Sequence, residues 1–510
     1  MVIPYSLALV LLVPLVSAPI VYYLGKQMGK KVGWIATIPL ILTLLLIANV
    51  AVGIYGGGSY SESYGWAPDA GLTFGLLADG LSIWMLITIN VLCLGICVYS
   101  TTYMEHRFEE EEHHTGVPTP NSAYASYYAL YLLYAVGMLG TVLTTNLIQF
   151  YLFYELMLVP SWALINNYGY GDRERIGMMY FMWTHVGAVI LLAGILSSYW
   201  ITGSFEIAAL SGVVGSPIAG WIAFAILIGF FTKMAVFGIH IWLPYAHGEA
   251  PTPISALLSP AMIGIGAYAA TRLVIIPMFP VYKTFSLVFS LWALLTMTYG
   301  GLMALAQDDI KRFLAYSSVS QMGYIFLGLA SAAEYGVSGA IFHYITHGFG
   351  KCILFGVAGI LMAQVGTRSI KEMGGLADRM PWTTVLCLLG FFSIAGVPPT
   401  MGFMSKFFIF SGAFSSALSG SPSQLILALV AIIMTVLTVG YSLWTVRRIF
   451  FGPLPEKLKE VKEAPWTMTM PLLVFALFSV IIGIYPKLVT DYLLPFISEA
   501  LHATATALSH

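Results

Sequence analysis

Long apolar stretches, most of them 20 residues or longer, alternate along the chain with short polar segments. They lack the two-residue alternation of a membrane β-strand, so each is predicted to be a helix that crosses a bilayer. The pattern predicts an all-α polytopic membrane protein. About fourteen spans are expected, with approximate cores at 5–24, 33–55, 76–103, 122–144, 147–168, 176–200, 218–243, 254–277, 284–305, 311–331, 335–362, 382–412, 423–446 and 467–490.

Composition supports this interpretation. Hydrophobic residues make up 59% of the 510 residues and charged residues only 9%, whereas soluble domains carry about 25% charge. The net charge of −1 gives no reason to expect a nucleic-acid partner. The run from Tyr5 to Leu24 is too long for a cleaved signal peptide and is predicted to be the first span. The four cysteines all lie in apolar segments, which favours packing over disulfides or metal binding.

The basic residues are distributed unequally between the two sets of alternating loops. The sparse side has only Arg272, Lys283 and Lys487. By the positive-inside rule the richer side faces the cytoplasm, so both termini are predicted to face outward from the inner membrane of a prokaryote. The richer side holds 16 of the 22 Lys and Arg residues: Lys26, Lys30, Lys31, Arg107, Arg173, Arg175, Lys311, Arg312, Arg368, Lys371, Arg379, Arg447, Arg448, Lys457, Lys459 and Lys462.

Several ionisable residues are predicted to lie inside the spans. A charge at membrane depth costs about 3 kcal/mol or more, so such residues normally face a protein interior or a hydrated cavity and have a partner. One carboxylate cannot pair with three lysines at once, which points to a role beyond a static ion pair. The set comprises Glu155, Lys233, Lys351, Lys406, His185, His343 and His347.

Glu155 and Lys233 are the first candidate pair. One interpretation is a fixed buried ion pair. The other is a modulated pair, in which the carboxylate favours the ammonium form of Lys233 and releases a proton when it moves away. Lysine suits this role because a desolvated ammonium loses its proton, whereas a guanidinium does not.

His343, His347 and Lys351 are spaced four residues apart in HYITHGFGK. On a helix they share one face, with about 6 Å between successive positions, so water can bridge them into a proton relay. Structural histidines with satisfied hydrogen bonds are the alternative. Zinc binding by the two histidines lacks a third ligand. For His185, which stands alone in its span, a structural role is favoured.

Prolines interrupt two spans at mirrored positions. Pro244 follows Lys233 in the seventh span, whereas Pro398 and Pro399 precede Lys406 in the twelfth. Paired broken helices indicate inverted repeats, and unwound backbone at membrane depth needs a protein or water-filled surrounding. Spans 4–8 and 9–13 are therefore predicted to form two inverted five-helix repeats, although two ordinary proline kinks would explain the same pattern. The expected units are residues 1–121, 122–280, 281–446 and 447–510.

Five segments together give the sequence a family resemblance: FYELMLVPSW (153–162), TKMAVFGIHIWLPYAHGEAPTPISALLS (232–259), AQDDIKRFLAYSSVSQMGY (306–324), HYITHGFGKCILF (343–355) and GVPPTMGFMSKF (396–407). The chain resembles the antiporter-like membrane subunits of respiratory complex I, membrane-bound hydrogenases and Mrp cation/proton antiporters. It is most similar to subunit 4 of complex I or to the D-type subunit of Mrp antiporters. The resemblance implies that Glu155, Lys233, His343, His347, Lys351 and Lys406 form an ion-translocating axis.

Two residues depart from the subunit 4 pattern. Lys406 stands where subunit 4 usually has glutamate, and Gly264 stands where many relatives have an eighth-span lysine, for which Lys351 is a candidate substitute. The resemblance implies membrane subunits of a respiratory-type complex as partners, besides lipids. No Cys-rich iron–sulfur pattern and no GxGxxG after a strand is present, so no cofactor or metal is expected in this chain. A stand-alone or Mrp-type antiporter and a purely structural scaffold are the alternatives.

Overall fold

The computed structural model describes residues 2–67, 69, 71–418 and 422–507, and most of them are helical. The α-helices are α1 (Ser6–Met28), α2 (Val32–Gly53), α3 (Ile83–Thr115), α4 (Asn121–Leu143), α5 (Leu147–Tyr168), α6 (Arg173–Thr202), α7 (Ala219–Lys233), α8 (Trp242–Glu249), α9 (Thr252–Leu257), α10 (Ile265–Ala270), α11 (Phe279–Thr284), α12 (Ser286–Leu305), α13 (Ile310–Ala330), α14 (Glu334–Val365), α15 (Pro381–Ala395), α16 (Met401–Leu418), α17 (Pro422–Phe450), α18 (Trp466–Ile484) and α19 (Lys487–Ala507).

The described residues contain twelve helical segments that are long and apolar enough to cross a membrane. One of them, Ser6–Gly53, holds both α1 and α2, and another, Thr252–Ile275, joins α9 and α10 through π-helical turns. The shorter apolar helices α7 and α15 fall in the seventh and twelfth predicted spans. An all-α polytopic membrane protein is thereby confirmed. The number of fourteen crossings and the inverted repeats stay predictions.

A two-stranded hairpin precedes α3. Strands β1 (Tyr60–Ala67) and β2 (Leu72–Ala78) pair antiparallel, with Tyr60 opposite Ala78. Residues 76–78, which the hydropathy pattern assigns to the third span, thus belong to a strand, because the apolar run LTFGLLA has a partner that periodicity alone cannot reveal. Glu62 of β1 accepts hydrogen bonds from the backbone N–H groups of Leu7 and Ala8, each at 2.9 Å, and so caps the start of α1.

The break in the seventh span lies before Pro244. Helix α7 ends at Lys233 and α8 begins at Trp242, so Pro244 stands in the first turn of α8 rather than at the interruption. The prediction that Pro244 breaks this helix is wrong in position. A proline is tolerated there because the first-turn N–H groups have no acceptor within the helix. In the twelfth span, Pro398 and Pro399 do lie between α15 and α16, as expected.

Side chains satisfy the backbone that the first break exposes. The Trp242 indole donates to the Thr232 carbonyl at 3.0 Å, and the Trp292 indole donates to the Phe237 carbonyl at 2.8 Å. Thr296 accepts from the Phe237 N–H at 3.1 Å. These hydrogen bonds therefore stabilise the unwound segment, since unpaired backbone groups are not tolerated at membrane depth.

Helix α14 lies in the interior of the fold. All its residues from Gly336 to Leu361 are buried, and it packs against α13, α15, α16 and α18. Its polar side chains therefore face protein and not lipid.

Ion pairs join segments on the predicted cytoplasmic side. Asp308 binds both Lys371 and Arg448 at 2.7 Å, and these two cations hold the pKa of its carboxyl below the ordinary value.

Candidate functional site

Lys233 is a buried amine without a hydrogen bond. It is 1% exposed, and its Nζ has no hydrogen-bond partner among the described residues. The Nζ lies 4.3 Å from the centre of the Tyr154 ring, whose hydroxyl donates to the Gly229 carbonyl at 3.0 Å. A cation over an aromatic face gains some electrostatic stabilisation, but much less than an ion pair would give.

Glu155 contacts a histidine and not the predicted lysine. Its Oε2 lies 3.0 Å from His185 Nδ1, whereas no ion pair within 4.0 Å joins it to Lys233 in the described part of the chain. His185 is therefore not isolated in the fold, whereas the structural role expected of it stays a prediction. Nothing in the local sequence of α6 signals the contact, because it depends on how α5 and α6 pack against each other.

His343 is held by hydrogen bonds on both sides of its ring. Its Nδ1 lies 2.9 Å from Ser405 Oγ in α16 and its Nε2 lies 3.1 Å from Gln321 Oε1 in α13. The Gln321 amide in turn donates to the Tyr441 hydroxyl at 3.0 Å. The imidazole thus links α14 directly to α16 and α13, and through Gln321 to α17. The spacing of the two histidines did not predict this surrounding.

The rest of the α14 row is equally buried. Neither ring nitrogen of His347 has a hydrogen-bond partner among the described residues. Lys351, with 0% exposure, donates to the Leu314 carbonyl at 3.0 Å and to the Ser317 hydroxyl. The helix therefore presents two imidazoles and an amine in a row within the protein interior, which can pass a proton only through intervening water or side-chain movement.

Lys406 uses the second helix break. Its Nζ donates at 3.3 Å to the carbonyl of Ala395, the last residue of α15, and lies 4.1 Å from the centre of the Tyr324 ring. The carbonyls in the last turn of a helix accept no hydrogen bond within that helix. The break therefore leaves the Ala395 carbonyl oxygen free to accept a hydrogen bond from the Lys406 amine. The residue itself is 4% exposed.

Further buried ionisable residues were missed, among them His247 and Lys311. His247 in α8 is fully buried, stacks on Phe355 at 4.9 Å, and has no described partner for either ring nitrogen. Lys311, which the sequence pattern assigns to a cytoplasmic loop, is also fully buried, and its Nζ donates to the Ala250 carbonyl. The neighbouring Arg312 made Lys311 look like a loop residue. His247 falls between the predicted cores of the seventh and eighth spans, 218–243 and 254–277, and so was not counted among the histidines inside spans.

A cavity of about 360 Å³ opens close to Lys311. Its wall includes Tyr170, whose ring centre lies 5.3 Å from Lys311 Nζ and whose hydroxyl contacts that of Tyr103 at 2.5 Å. The cavity thus brings a polar surface to the edge of the buried amines. Its lining residues are Tyr103, His106, Arg107, Glu110, Tyr170, Met362, Ala363, Gly366, Thr367 and Arg368.

The Gly264 position is filled by an aromatic ring. A Cβ on Gly264 would lie 1.8 Å from Cδ2 of Tyr344, whose hydroxyl donates to the Ala261 carbonyl at 3.1 Å. No lysine side chain fits at this position while Tyr344 keeps its place. Within the described residues no group of three or more His, Cys, Asp or Glu side chains is arranged to hold a metal ion.

Comparison with solved structures gives the same architecture. The Mrp complex from Dietzia sp. DQ12-45-1b contains a chain that matches with a TM-score of 0.84 and 22% identity, covering 98% of this chain and 100% of that chain. A chain of respiratory complex I from Thermus thermophilus matches with a TM-score of 0.85 and 24% identity, covering 97% and 99%. At these identities the matches establish the fold.

Sequence comparison carries the relationship further. F(420)H(2) dehydrogenase subunit M of Methanosarcina mazei is 33% identical over 502 residues, which cover 96% of each chain. A Na(+)/H(+) antiporter subunit of Alkalihalophilus pseudofirmus is 31% identical over 522 residues, covering 97% of this chain and 63% of its own.

Two family profiles match as well. Residues 66–113 fit the profile described as NADH-Ubiquinone oxidoreductase (complex I), chain 5 N-terminus. Residues 144–438, more than half of the chain, fit the profile described as NADH:quinone oxidoreductase/Mrp antiporter, TM. This second match covers all the buried lysines and histidines described above, and the chain therefore belongs to the NADH:quinone oxidoreductase/Mrp antiporter family.

Proposed function

We propose that the chain is a proton-translocating subunit of a complex I-related membrane complex. Protons move along Glu155, Lys233, His343, His347, Lys351 and Lys406, and electron transfer in other subunits drives them. Relatives named as subunits of F(420)H(2) dehydrogenase and NADH-quinone oxidoreductase support a partnership with redox subunits. The chain itself is proposed to carry no cofactor.

One observation carries this proposal: Lys233, Lys351 and Lys406 are buried, yet none has a carboxylate within 4.0 Å in the described part of the chain. A permanently charged ammonium in such a place would pay a desolvation cost of several kcal/mol with no counter-ion to offset it. An amine avoids this cost by giving up its proton. Lys233 and Lys406 lie at helix breaks and Lys351 continues the histidine row of α14. This arrangement suits a path in which each group is alternately charged and neutral.

The direction of the path follows from the proposed orientation. The cavity beside Lys311 lies on the side that the basic loops assign to the cytoplasm, so protons are proposed to enter there and pass to Lys351 and the α14 row. Lys406, beside the break between α15 and α16, is proposed to exchange protons with the outer side. The two inverted five-helix repeats would each contribute one broken helix to this path.

The test is Lys233→Ala in the intact complex, reconstituted in vesicles with its electron donor and acceptor. We expect normal assembly and proton pumping reduced at least tenfold per electron transferred, because the amine that takes and releases the proton is absent. Lys283→Ala is the matched control, since Lys283 is exposed at a helix end. Pumping at the wild-type ratio in Lys233→Ala would refute the proposal.

A second candidate function is an Mrp-type cation/proton antiporter with no redox partner. The 31% identity to a Na(+)/H(+) antiporter subunit favours it. Purification of the tagged chain from its native membrane separates the two, because only the first function requires co-purifying subunits that contain iron–sulfur centres. A third possibility, a structural scaffold, predicts that Lys406→Met leaves transport intact.

A further inference from the structure

The Glu155 carboxylate contacts one basic side chain, His185, and makes no ion pair with Lys233 among the described residues. Its Oε2 is 3.0 Å from His185 Nδ1, whereas its Oε1 is buried and has no hydrogen-bond partner among the described residues. Lys233 Nζ, which is also without such a partner, lies over the ring of Tyr154, the residue before Glu155. While histidine engages one carboxylate oxygen, Glu155 therefore makes no ion pair with Lys233 among the described residues.

The imidazole is oriented by an aromatic neighbour. The ring of His185 stacks on that of Phe181, one turn earlier in α6, with centroids 5.5 Å apart and an angle of 13° between the planes. Phe181 in turn packs against Trp162 of α5 at 5.6 Å. The side chain of His185 is 40% exposed and that of Glu155 only 19%, so the histidine lies between the carboxylate and the lateral surface of the chain.

We propose that His185 is a positioning residue that competes with Lys233 for the Glu155 carboxylate, and thereby sets when Lys233 releases its proton. The inference rests on the proposed function. While Glu155 accepts a hydrogen bond from His185, the Lys233 ammonium lacks a counter-ion, so its N–H bond breaks and the proton passes to a neutral imidazole or amine farther along the path. When Glu155 leaves His185, its free oxygen turns to Lys233 and favours the ammonium form.

Competition requires that His185 release its hydrogen bond to the Glu155 carboxylate. This requirement distinguishes the proposal from a purely structural pair. Arginine binds a carboxylate tightly through two N–H groups and does not lose its charge. An arginine in place of His185 would therefore hold Glu155 permanently. If the pair were only structural, arginine would stabilise it as well as histidine does. Glutamine can still donate one hydrogen bond but carries no charge.

The experiment compares His185→Arg and His185→Gln in the intact complex in vesicles, with complex content measured by immunoblot and proton translocation by a pH-sensitive dye. We expect both variants to assemble. Translocation should fall about tenfold or more in His185→Arg and by a smaller factor in His185→Gln, because glutamine leaves Glu155 free to turn. His113→Gln is the control, as His113 is an exposed histidine in the last turn of α3, outside the pair.

Wild-type translocation in an assembled His185→Arg variant would overturn the inference. If that variant does not assemble, His185→Gln decides the matter, because an unchanged rate there would equally refute it. Lys233→Ala is measured in parallel. Loss of pumping in Lys233→Ala together with unchanged His185 variants rejects this inference alone, whereas unchanged pumping in Lys233→Ala rejects the proposed function.

Discussion

At the scale of single residues, three buried lysines lack the carboxylate partner that a buried structural cation has. The contrast lies within the chain itself. Arg272 is met by Asp79 at 2.6 Å, whereas Lys233, Lys351 and Lys406 are given ring faces, hydroxyls and backbone carbonyls. Neutral partners stabilise a cation less than a carboxylate does. Under the proposed function, these neutral partners let each amine alternate between its protonated and neutral forms.

Gly264 offers a test of packing at this scale. We expect Gly264→Ala to destabilise the protein by about 1–3 kcal/mol, because its Cβ would overlap the Tyr344 ring. Thermal unfolding in detergent measures this. Gly440→Ala, in α17, is the control, since a Cβ there meets no atom within 4 Å. Combining Gly264→Ala with Tyr344→Leu should cost less than the sum of the two single changes. Additive losses would show that the ring is not the obstacle.

At the scale of elements, buried polar contacts fix how helices and strands meet. Asp79, just after β2, accepts from the N–H groups of Leu81 and Ser82 and binds both terminal nitrogens of Arg272 at 2.6 and 2.7 Å. Phe496 of α19 covers the guanidinium at 5.3 Å. This one carboxylate therefore joins the hairpin, α3, the segment after α10, and α19.

Removing that carboxylate charge should separate these elements. In Asp79→Asn the Arg272 guanidinium stays buried without its counter-ion, so the loss of stability should be large, about 3–5 kcal/mol. The melting temperature in detergent is the measurement. Asp491→Asn, on the exposed face of α19, is the control and should melt as the wild type does. A small loss in Asp79→Asn, similar to that of the control, would mean that the pair does not hold the elements together.

At the scale of the whole molecule, the proposed path depends on which side of the membrane each surface faces. All four cysteines are buried, with exposures of 0–2%, so they provide an unreactive background for labelling. Lys462 and Lys487 are both exposed and lie on opposite predicted sides. The basic loops assign Lys462 to the cytoplasm and Lys487 to the outside.

Labelling of intact cells with a membrane-impermeant thiol reagent tests this orientation. We expect Lys487→Cys to react in intact cells, and Lys462→Cys to react only after the membrane is opened. The unmodified protein, with its four buried thiols, controls for background labelling. The reverse pattern would place the termini in the cytoplasm, and it would invert the proposed direction of proton movement without changing the residues of the path.

The sequence by itself determined the membrane class, the positions of most of the long helices, and the shared face of His343, His347 and Lys351, but not the helix α19 after the last predicted span. These follow from hydropathy and helical periodicity, which are local properties of the chain. Tertiary structure alone decided that Glu155 contacts His185, that Lys311 is buried, that residues 76–78 pair as a strand, and that the seventh span unwinds before Pro244. Each of these depends on how one segment packs or pairs with another, which hydropathy and periodicity along a single segment do not encode.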